Sequence, residues 1–341
     1  MKAQPLVSVL MPVYNGGKYL GEAIKSILNQ TYANLELIIC NDASTDDSKE
    51  VIQGFDDVRI CYVENETNRG IVGTRNRLFS LAKGKYFSIM DCDDVALPEK
   101  IELQIDFMER HPEYGICGTW ARKVNDKNET TGYIQMPPKD VYIRINLLFQ
   151  SSFVQSSVII SREALGALSY NPGFPVAEDY DLWERISHRT RMYNLPEFLL
   201  LYRWHGENIS QQADRLMEKK RTEIIDRQLK ERFASLYDKY GDKIEGHKLI
   251  GTLTYGGTES FSSALKKSGK WYSVLIRQNK KEGCFPITAF NSFIWYRWFF
   301  YCFYHKKYFR ACFPPFFTLN PVIIGKLMCL VSYKLKSVFP K

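Results

Sequence analysis

Three carboxylates follow one apolar segment of the sequence, in the tetrapeptide Asp91-Cys92-Asp93-Asp94. The preceding residues, 86–90, have the composition of a buried strand, so the acids emerge where that strand ends. Carboxylates this close repel one another unless a cation joins them, and their oxygens suit Mg²⁺ or Mn²⁺ carrying a diphosphate. The tetrapeptide therefore predicts a metal site at Asp91 and Asp93. A polar turn or helix cap leading into residues 97–99 is the alternative.

Asp42 follows a second apolar segment, residues 35–40, and is surrounded by residues typical of turns. A carboxylate at this position can accept a hydrogen bond from the N–H of a uracil-like base. The alternative is a helix cap, but Ser44 or Thr45 suits that role better. The sequence therefore leaves Asp42 for a ligand.

Three arginines, Arg69, Arg75 and Arg77, lie just before or within the next helical segment. A guanidinium there can pair with a diphosphate or with Asp91, because its planar donors match these oxygens. Taken as isolated residues, surface charges are the alternative.

Two acidic residues, Glu178 and Asp179, open a later helical segment. Acids in a first turn commonly complement the helix dipole and do nothing more. At the mouth of a cleft, either one would suit a general base that takes a proton from an acceptor hydroxyl. His205 ends an apolar strand; a lone histidine is usually structural, but beside a carboxylate metal site it is a candidate third ligand.

The elements that position these residues alternate between strands and helices. Strands are predicted at 6–11, 35–40, 59–63 and 86–90, with helices at 20–28, 46–53 and 70–82. This alternation predicts an α/β fold with a mostly parallel sheet covered on both faces. Ligands bind beyond the carboxyl ends of such strands, so the loops at 12–17, 41–46 and 91–94 should converge on one edge. The later pattern is mixed, with strands predicted at 115–122 and 153–160 and helices at 177–187 and 211–233.

The net charge of +8 is carried by the last part of the chain, residues 283–341, which we call the tail. The tail has eight Lys or Arg, no Asp or Glu, and 18 of the 48 aromatic residues. Basic and aromatic residues together favour an anionic membrane surface as partner. Charged residues and prolines interrupt every apolar run, so a spanning helix is not expected. A packed core helix or a partner interface is the alternative, and nucleic acid is disfavoured because the charges are few.

The eight cysteines form no CxxC pair and several lie in apolar runs, which is typical of reduced residues in a cytosolic protein. The first residues enter a strand directly, without a hydrophobic leader. We therefore expect a cytoplasmic protein that is peripheral at the inner face of the cell membrane.

Six segments, in this order and spacing, resemble the family-2 glycosyltransferases with the GT-A fold. They are Pro12-Val13-Tyr14-Asn15, Asp42 within Asn-Asp-Ala-Ser-Thr-Asp, Asn68-Arg69-Gly70 with Arg75-Asn76, Asp91-x-Asp93-Asp94, Glu178-Asp179-Tyr180-Asp181 and Arg203-x-His205. The resemblance covers residues 5–215. It implies a Rossmann-like nucleotide-binding half, a nucleotide-sugar donor, Mn²⁺ or Mg²⁺, and inversion without a covalent intermediate.

The resemblance also implies roles for individual residues. Pro12, Val13, Tyr14 and Asp42 would hold the base and ribose; Arg69, Arg75 and Asp91 would contact the rest of the donor; Asp91, Asp93 and His205 would serve the metal. Asp179 matches the family's catalytic base, and Glu178 competes for that role.

One departure from the family bears on the product. Processive members carry Gln-x-x-Arg-Trp, but Leu200 stands where that glutamine would be, so one sugar per encounter is expected. We expect a UDP-sugar donor and a lipid-linked oligosaccharide acceptor of surface polysaccharide biosynthesis. The predicted domains are a GT-A domain at 1–212, a helical extension at 213–282 and the membrane-associating tail. A nucleotidyltransferase and a non-catalytic protein that binds membrane or partner are the alternatives.

Overall fold

The computed structural model describes residues 4–205, 214–236 and 261–304. The chain divides into two compact units. The sheet unit comprises Met1–Asp140 and Ser151–Ala213, and the helical unit comprises Val141–Gln150 and Asp214–Lys341.

The first half of the sheet unit alternates strands and helices, as predicted. Its elements are β1 (Val7–Val13), α1 (Gly17–Leu28), β2 (Leu35–Asn41), α2 (Ser48–Gln53), β3 (Ile60–Glu64), α3 (Gly70–Leu81) and β4 (Tyr86–Ile89). β1 is buried along its whole length, and α1 packs one apolar face, including Leu20 and Ile24, into the same core. A continuous apolar strand followed by a one-sided helix is what a sheet covered on both faces requires.

The remaining elements run to residue 203 in the sheet unit, apart from α5. They are β5 (Val95–Ala96), α4 (Lys100–Arg110), β6 (Tyr114–Val124), β7 (Thr130–Ile134), α5 (Asp140–Leu147), a short 3₁₀ helix (Gln155–Ser157), β8 (Ile159–Ser161), α6 (Arg162–Leu165), α7 (Glu178–Ile186) and β9 (Arg191–Arg203). The helix predicted at 177–187 is α7.

The strands form one sheet in the order β3-β2-β1-β4-β8-β6-β9-β5, with β7 paired to β6. β1 pairs in parallel with both β2 and β4, and β2 pairs in parallel with β3. β8 lies antiparallel between β4 and β6, whereas β6 and β9 are parallel. The predicted mostly parallel α/β sheet is confirmed, and β1, β2 and β4 end at one edge.

The strand predicted at 153–160 is wrong over most of its length, since only Ile159–Ser161 pairs in the sheet. Residues 155–157 form a 3₁₀ turn because two serine hydroxyls take up backbone groups. The Ser157 hydroxyl donates to Val154 O (2.7 Å) and accepts from Thr119 N (3.2 Å). Ser156 Oγ accepts from Asp91 N at 3.1 Å, so this turn supports the acidic tetrapeptide.

The helical unit contains three described helices besides α5: α8 (Asp214–Arg232), α9 (Phe261–Glu282) and α10 (Ile287–Tyr304). Aromatic rings fill its interior, with Phe293 stacked near Phe149 (6.4 Å between centroids) and Phe290 stacked on Phe285 (5.5 Å). The aromatic residues of α10 are thus mainly packing residues, as the packed-core alternative describes. Tail residues 305–341 lie outside the described part, and membrane contact by the tail stays a prediction. Among the described helices, none combines the length and apolarity needed to cross a bilayer.

Candidate active site

The loops after β1 and β2 are joined by hydrogen bonds at the carboxyl edge of the sheet. Asn15 N donates to Ser44 Oγ (3.0 Å), and Thr45 N donates to Asn15 Oδ1 (2.8 Å). Ser44 therefore links the loops instead of capping a helix, and α2 begins only at Ser48. A Cβ built on Gly16 would lie 2.7 Å from Cys92 Sγ, so the loop after β4 approaches the same point. The predicted convergence of the three loops is observed.

Asp42 is buried beneath this edge, with 3% of its surface exposed. Its Oδ1 accepts from Asn65 Nδ2 (2.6 Å) and from Arg69 N (2.8 Å). Within the described residues its Oδ2 accepts no hydrogen bond. The carboxylate is thus fixed through Oδ1, and a role for Oδ2 in binding a ligand N–H stays a prediction.

The other predicted donor residues differ in exposure. Pro12 and Val13 are buried strand residues at the end of β1, and Val13 O accepts from Asp42 N at 2.8 Å. Tyr14, the next residue, is 52% exposed, as a ring that stacks on a base must be. Arg69 lies at the start of α3 with an exposed side chain.

Arg75 joins two predicted site residues that are distant in sequence. Its Nη2 donates to Asp91 Oδ1 (2.7 Å) and its Nη1 to Glu178 Oε1. The exposed fractions of the Arg75, Glu178 and Asp91 side chains are 7%, 12% and 27%. The surface-charge alternative is therefore wrong for Arg75, which ties α3, the end of β4 and the start of α7 together. Arg77 also has a structural role, donating to Glu64 O at 2.8 Å.

The electrostatics of this trio depend on burial. Burial raises the pKa of Glu178 to about 7, with Asp179 and Asp91 adding repulsion, although the Arg75 guanidinium lowers it. The guanidinium lies over the Tyr170 ring (5.5 Å), and that ring is fully buried. Two carboxylates therefore share one buried cation in this trio.

Asp179 lies next to Glu178 in the first turn of α7, and its Oδ1 accepts from Tyr180 N at 2.7 Å. The preceding residue, Ala177, has φ of 64°, a left-handed conformation that a non-glycine residue rarely adopts. The left-handed residue sets the direction in which α7 begins, and with it the position of both acids.

Asp93 and His205 meet, with Asp93 Oδ2 and His205 Nε2 3.0 Å apart. The His205 ring also packs beside the Tyr19 ring at 5.0 Å. Asp91, Asp93 and His205 do not offer three ligand atoms within 4.8 Å of one another. One carboxylate and one imidazole nevertheless form a donor set that suits Mn²⁺, with further ligands supplied by phosphate oxygens. The residues present fit a metal held by Asp93 and His205, with Asp91 held by Arg75.

Arg203 was not among the predicted site residues, yet it supports the acidic tetrapeptide from β9. Its backbone N–H donates to Asp94 Oδ1 (2.9 Å) and its Nε donates to Asp93 O (2.8 Å). Its Nη2 reaches Glu22 Oε2 on α1 (2.7 Å), and its guanidinium lies 4.5 Å from the centre of the Tyr19 ring. The available sequence indication was its place two residues before His205, which says nothing about these partners.

A family model described as glycosyl transferase family 2 matches residues 8–168. The Escherichia coli protein named UDP-Glc:alpha-D-GlcNAc-diphosphoundecaprenol beta-1,3-glucosyltransferase WfaP is 32% identical over 208 residues, which are 60% of this chain and 80% of that protein. The chain belongs to glycosyl transferase family 2. A second E. coli protein, WfgD, whose name states the same activity, is 33% identical over 181 residues, or 53% of this chain and 69% of that protein.

The fold of this family 2 glycosyltransferase also matches a solved structure, the mannosyltransferase PcManGT from Pyrobaculum calidifontis in complex with GDP-Man and Mn²⁺. The TM-score is 0.51 at 16% identity, over 100% of this chain and 89% of the other. This match confirms the GT-A fold, and the family membership confirms the glycosyltransferase class. The matched family region ends at residue 168, before Glu178, Asp179 and His205, so their roles remain predictions.

Proposed function

We propose that this protein is an inverting glycosyltransferase that transfers a single sugar from a UDP-sugar to a hydroxyl of a lipid-linked oligosaccharide in surface polysaccharide biosynthesis. The observation that carries the proposal is the meeting of Asp91 and Glu178 on Arg75, because it brings the nucleotide edge of the sheet to the first turn of α7. A glycosyltransferase needs donor and acceptor groups side by side in this way. The activity stated in the names of WfaP and WfgD supports the donor and the acceptor class.

In this proposal, donor recognition begins at the ends of β1 and β2. Asp42 accepts the N–H of the uracil through Oδ2, while Tyr14 contributes the exposed ring against the base. Arg69 lies between β3 and α3 with its backbone N–H on Asp42, and from there its cation can approach the diphosphate. Asp91 stays in the position that Arg75 gives it and contacts the ribose side of the donor.

Asp93 and His205 are the side chains that we propose to hold Mn²⁺ or Mg²⁺ on the diphosphate. When bound, the metal neutralises the negative charge that develops on the leaving group. His205 Nε2 and Asp93 Oδ2 already face each other, so little rearrangement is required of the protein. The PcManGT complex with Mn²⁺ supports metal use in this fold.

Asp179 is the residue that we propose as general base. Glu178 binds Arg75 and is thereby committed to positioning, and Asp179 is the adjacent acid in the same turn, at the position that matches the family's catalytic base. Asp179 would take the proton from the acceptor hydroxyl while the hydroxyl oxygen attacks the anomeric carbon, and the nucleoside diphosphate would leave from the opposite face. Inversion follows from a single displacement.

Separate measurements of donor binding and turnover test this assignment. Asp93→Ala should abolish the Mn²⁺-dependent thermal shift with UDP-sugars, since a ligand that binds only the folded state stabilises it. Asp179→Asn should keep that shift and lose release of nucleoside diphosphate. Asp56→Ala, an exposed aspartate away from the site, is the matched control and should behave as wild type. Equal loss of donor binding in both site variants would refute the roles, and release of pyrophosphate would refute the reaction.

A further inference from the structure

Helix α9 has one basic exposed face. Lys270, Arg277, Lys280 and Lys281 are exposed, and we call these four residues the basic face. At about 100° per residue, Lys270, Arg277 and Lys281 lie within about 40° of one another around the helix, with Lys280 at the border. The other side of α9 is buried through Trp271, Tyr272, Leu275 and Asn279. The helix thus packs through its aromatic side and presents its cations outward.

The charges of the basic face are not neutralised by neighbouring acids. Arg277 Nε donates to Ser273 O (3.3 Å) and Lys281 Nζ to Ser235 Oγ (3.4 Å), which are neutral oxygens. Within the described residues, none of the four cations takes part in an ion pair. The single acidic residue of α9, Glu282, accepts from Ser235 N (3.1 Å) instead. The face therefore keeps its positive charge for an outside partner.

An exposed apolar residue follows this face. The turn after α9 passes through Gly283, with φ of 69°, and α10 begins at Ile287, which is 48% exposed. Among the α10 residues whose burial the structure describes, most large apolar side chains are buried, so Ile287 is an exception. Exposed cations followed in the chain by an exposed aliphatic side chain suit the headgroup region of an anionic bilayer, where charge meets lipid phosphate and the apolar group enters the acyl boundary.

We propose that the basic face of α9, together with Ile287, is the surface through which this protein contacts an anionic phospholipid bilayer. The inference rests on the proposed function, because a lipid-linked acceptor is presented at a membrane. It moves the membrane contact from the aromatic residues of α10, which are mostly buried, to α9. Nucleic acid would gain nothing from Ile287, so a bilayer is the partner that uses both features.

Vesicle co-sedimentation with the full chain tests this surface. Each Lys or Arg close to an anionic membrane strengthens partitioning by about fivefold, so Lys270→Gln/Arg277→Gln should weaken binding to phosphatidylglycerol-containing vesicles about 25-fold at low salt. Lys83→Gln/Lys139→Gln removes the same charge from exposed sites of the sheet unit and should bind as wild type. If the first pair misfolds by circular dichroism, Lys280→Gln/Lys281→Gln tests the same face.

Ile287→Ser tests the apolar part separately. It should weaken binding about fivefold, and this loss should persist at high salt because the contribution of an aliphatic side chain is not screened. The proposal would be overturned if wild type bound pure phosphatidylcholine vesicles as tightly as anionic vesicles. It would also be overturned if Lys83→Gln/Lys139→Gln weakened binding as much as Lys270→Gln/Arg277→Gln. Tighter binding of wild type to duplex DNA than to anionic vesicles at the same salt would also overturn it.

Failure of this inference is distinguishable from failure of the proposed function. A wild-type protein that binds anionic vesicles through α9 but releases no nucleoside diphosphate from any UDP-sugar would leave the surface intact and refute the function. A protein that transfers sugar while the α9 variants bind vesicles as tightly as wild type would refute the surface and leave the function intact.

Discussion

Replacing Arg75 by methionine should destabilise the sheet unit and uncouple α7 from β4. Methionine keeps the unbranched apolar stem of arginine and lacks the guanidinium, which leaves Asp91 and Glu178 without their shared cation. Removing one partner of a buried ion pair costs about 3–5 kcal/mol, and Arg75 is only 7% exposed. We therefore expect a loss of about that size in the free energy of unfolding near neutral pH.

The loss of stability in Arg75→Met should grow as pH rises, because of the ionisation of Glu178. Burial already raises the pKa of Glu178 to about 7 in the presence of Arg75. Without the guanidinium that pKa rises further, so the folded variant holds its proton where the unfolded chain has released it. The free energy of unfolding of the variant then falls by up to about 1.4 kcal/mol per pH unit as pH increases above 7. In wild type, Glu178 is already ionised in that range and no longer makes stability depend on pH.

Urea unfolding at pH 6.5 and pH 8, bracketing the Glu178 pKa of about 7, measures both effects. Arg59→Met is the control, because the pair with Asp57 is about one quarter exposed and should cost about 1 kcal/mol or less. Arg75→Lys should be intermediate, since one ammonium cannot span two carboxylates as a guanidinium does. A loss below 1 kcal/mol in Arg75→Met, or one that does not change between the two pH values, would contradict the buried bridge.

Two further predictions concern buried cations elsewhere in the sheet unit. Lys100 is fully buried, and burial lowers its pKa to about 8, so the unfolded chain binds this proton more tightly and wild-type stability should increase as pH rises above 8. Lys100→Met should lack this increase in thermal unfolding between pH 7.5 and 9.5, and a variant whose stability changes with pH as wild type does would refute the prediction. Arg203→Lys should lower the free energy of unfolding in urea by about 2–3 kcal/mol, because several hydrogen bonds of a buried guanidinium are lost. Glu22→Gln should lower it by less than about 1 kcal/mol, because Glu22 is 44% exposed, and equal losses would contradict the central role of Arg203.

The sheet and its loops could be predicted because their causes are local. Short apolar runs between turn residues, such as 35–40, favour buried strands, and polar residues directly after such strands lie at the sheet edge. The acids at Asp91 and Asp93 and the turn at Asp42 follow from this rule alone. The 3₁₀ turn at 155–157 could not be predicted, because it depends on where serine hydroxyls meet backbone groups from other strands.

The pairings within the site could not be predicted, because sequence spacing carries no information about them. Arg75 and Glu178 are 103 residues apart, and Glu22 and Arg203 are 181 residues apart. As isolated residues these arginines look like surface charges, since most arginines are exposed. Their burial becomes visible only when the sheet order places α3, α7 and β9 around the end of β4.

The acidic tetrapeptide is tolerable because each of its carboxylates has a different environment. Asp91 is held by Arg75, and Asp93 faces His205. Asp94 is fully buried, and burial together with the neighbouring acids raises its pKa well above the ordinary value, which favours the neutral form. The three neighbouring carboxylates thus lie in three different environments. Two buried arginines contact the tetrapeptide, Arg75 from α3 and Arg203 from β9, while Asp93 faces His205, and these two side chains are the pair that we propose to hold a metal on the diphosphate.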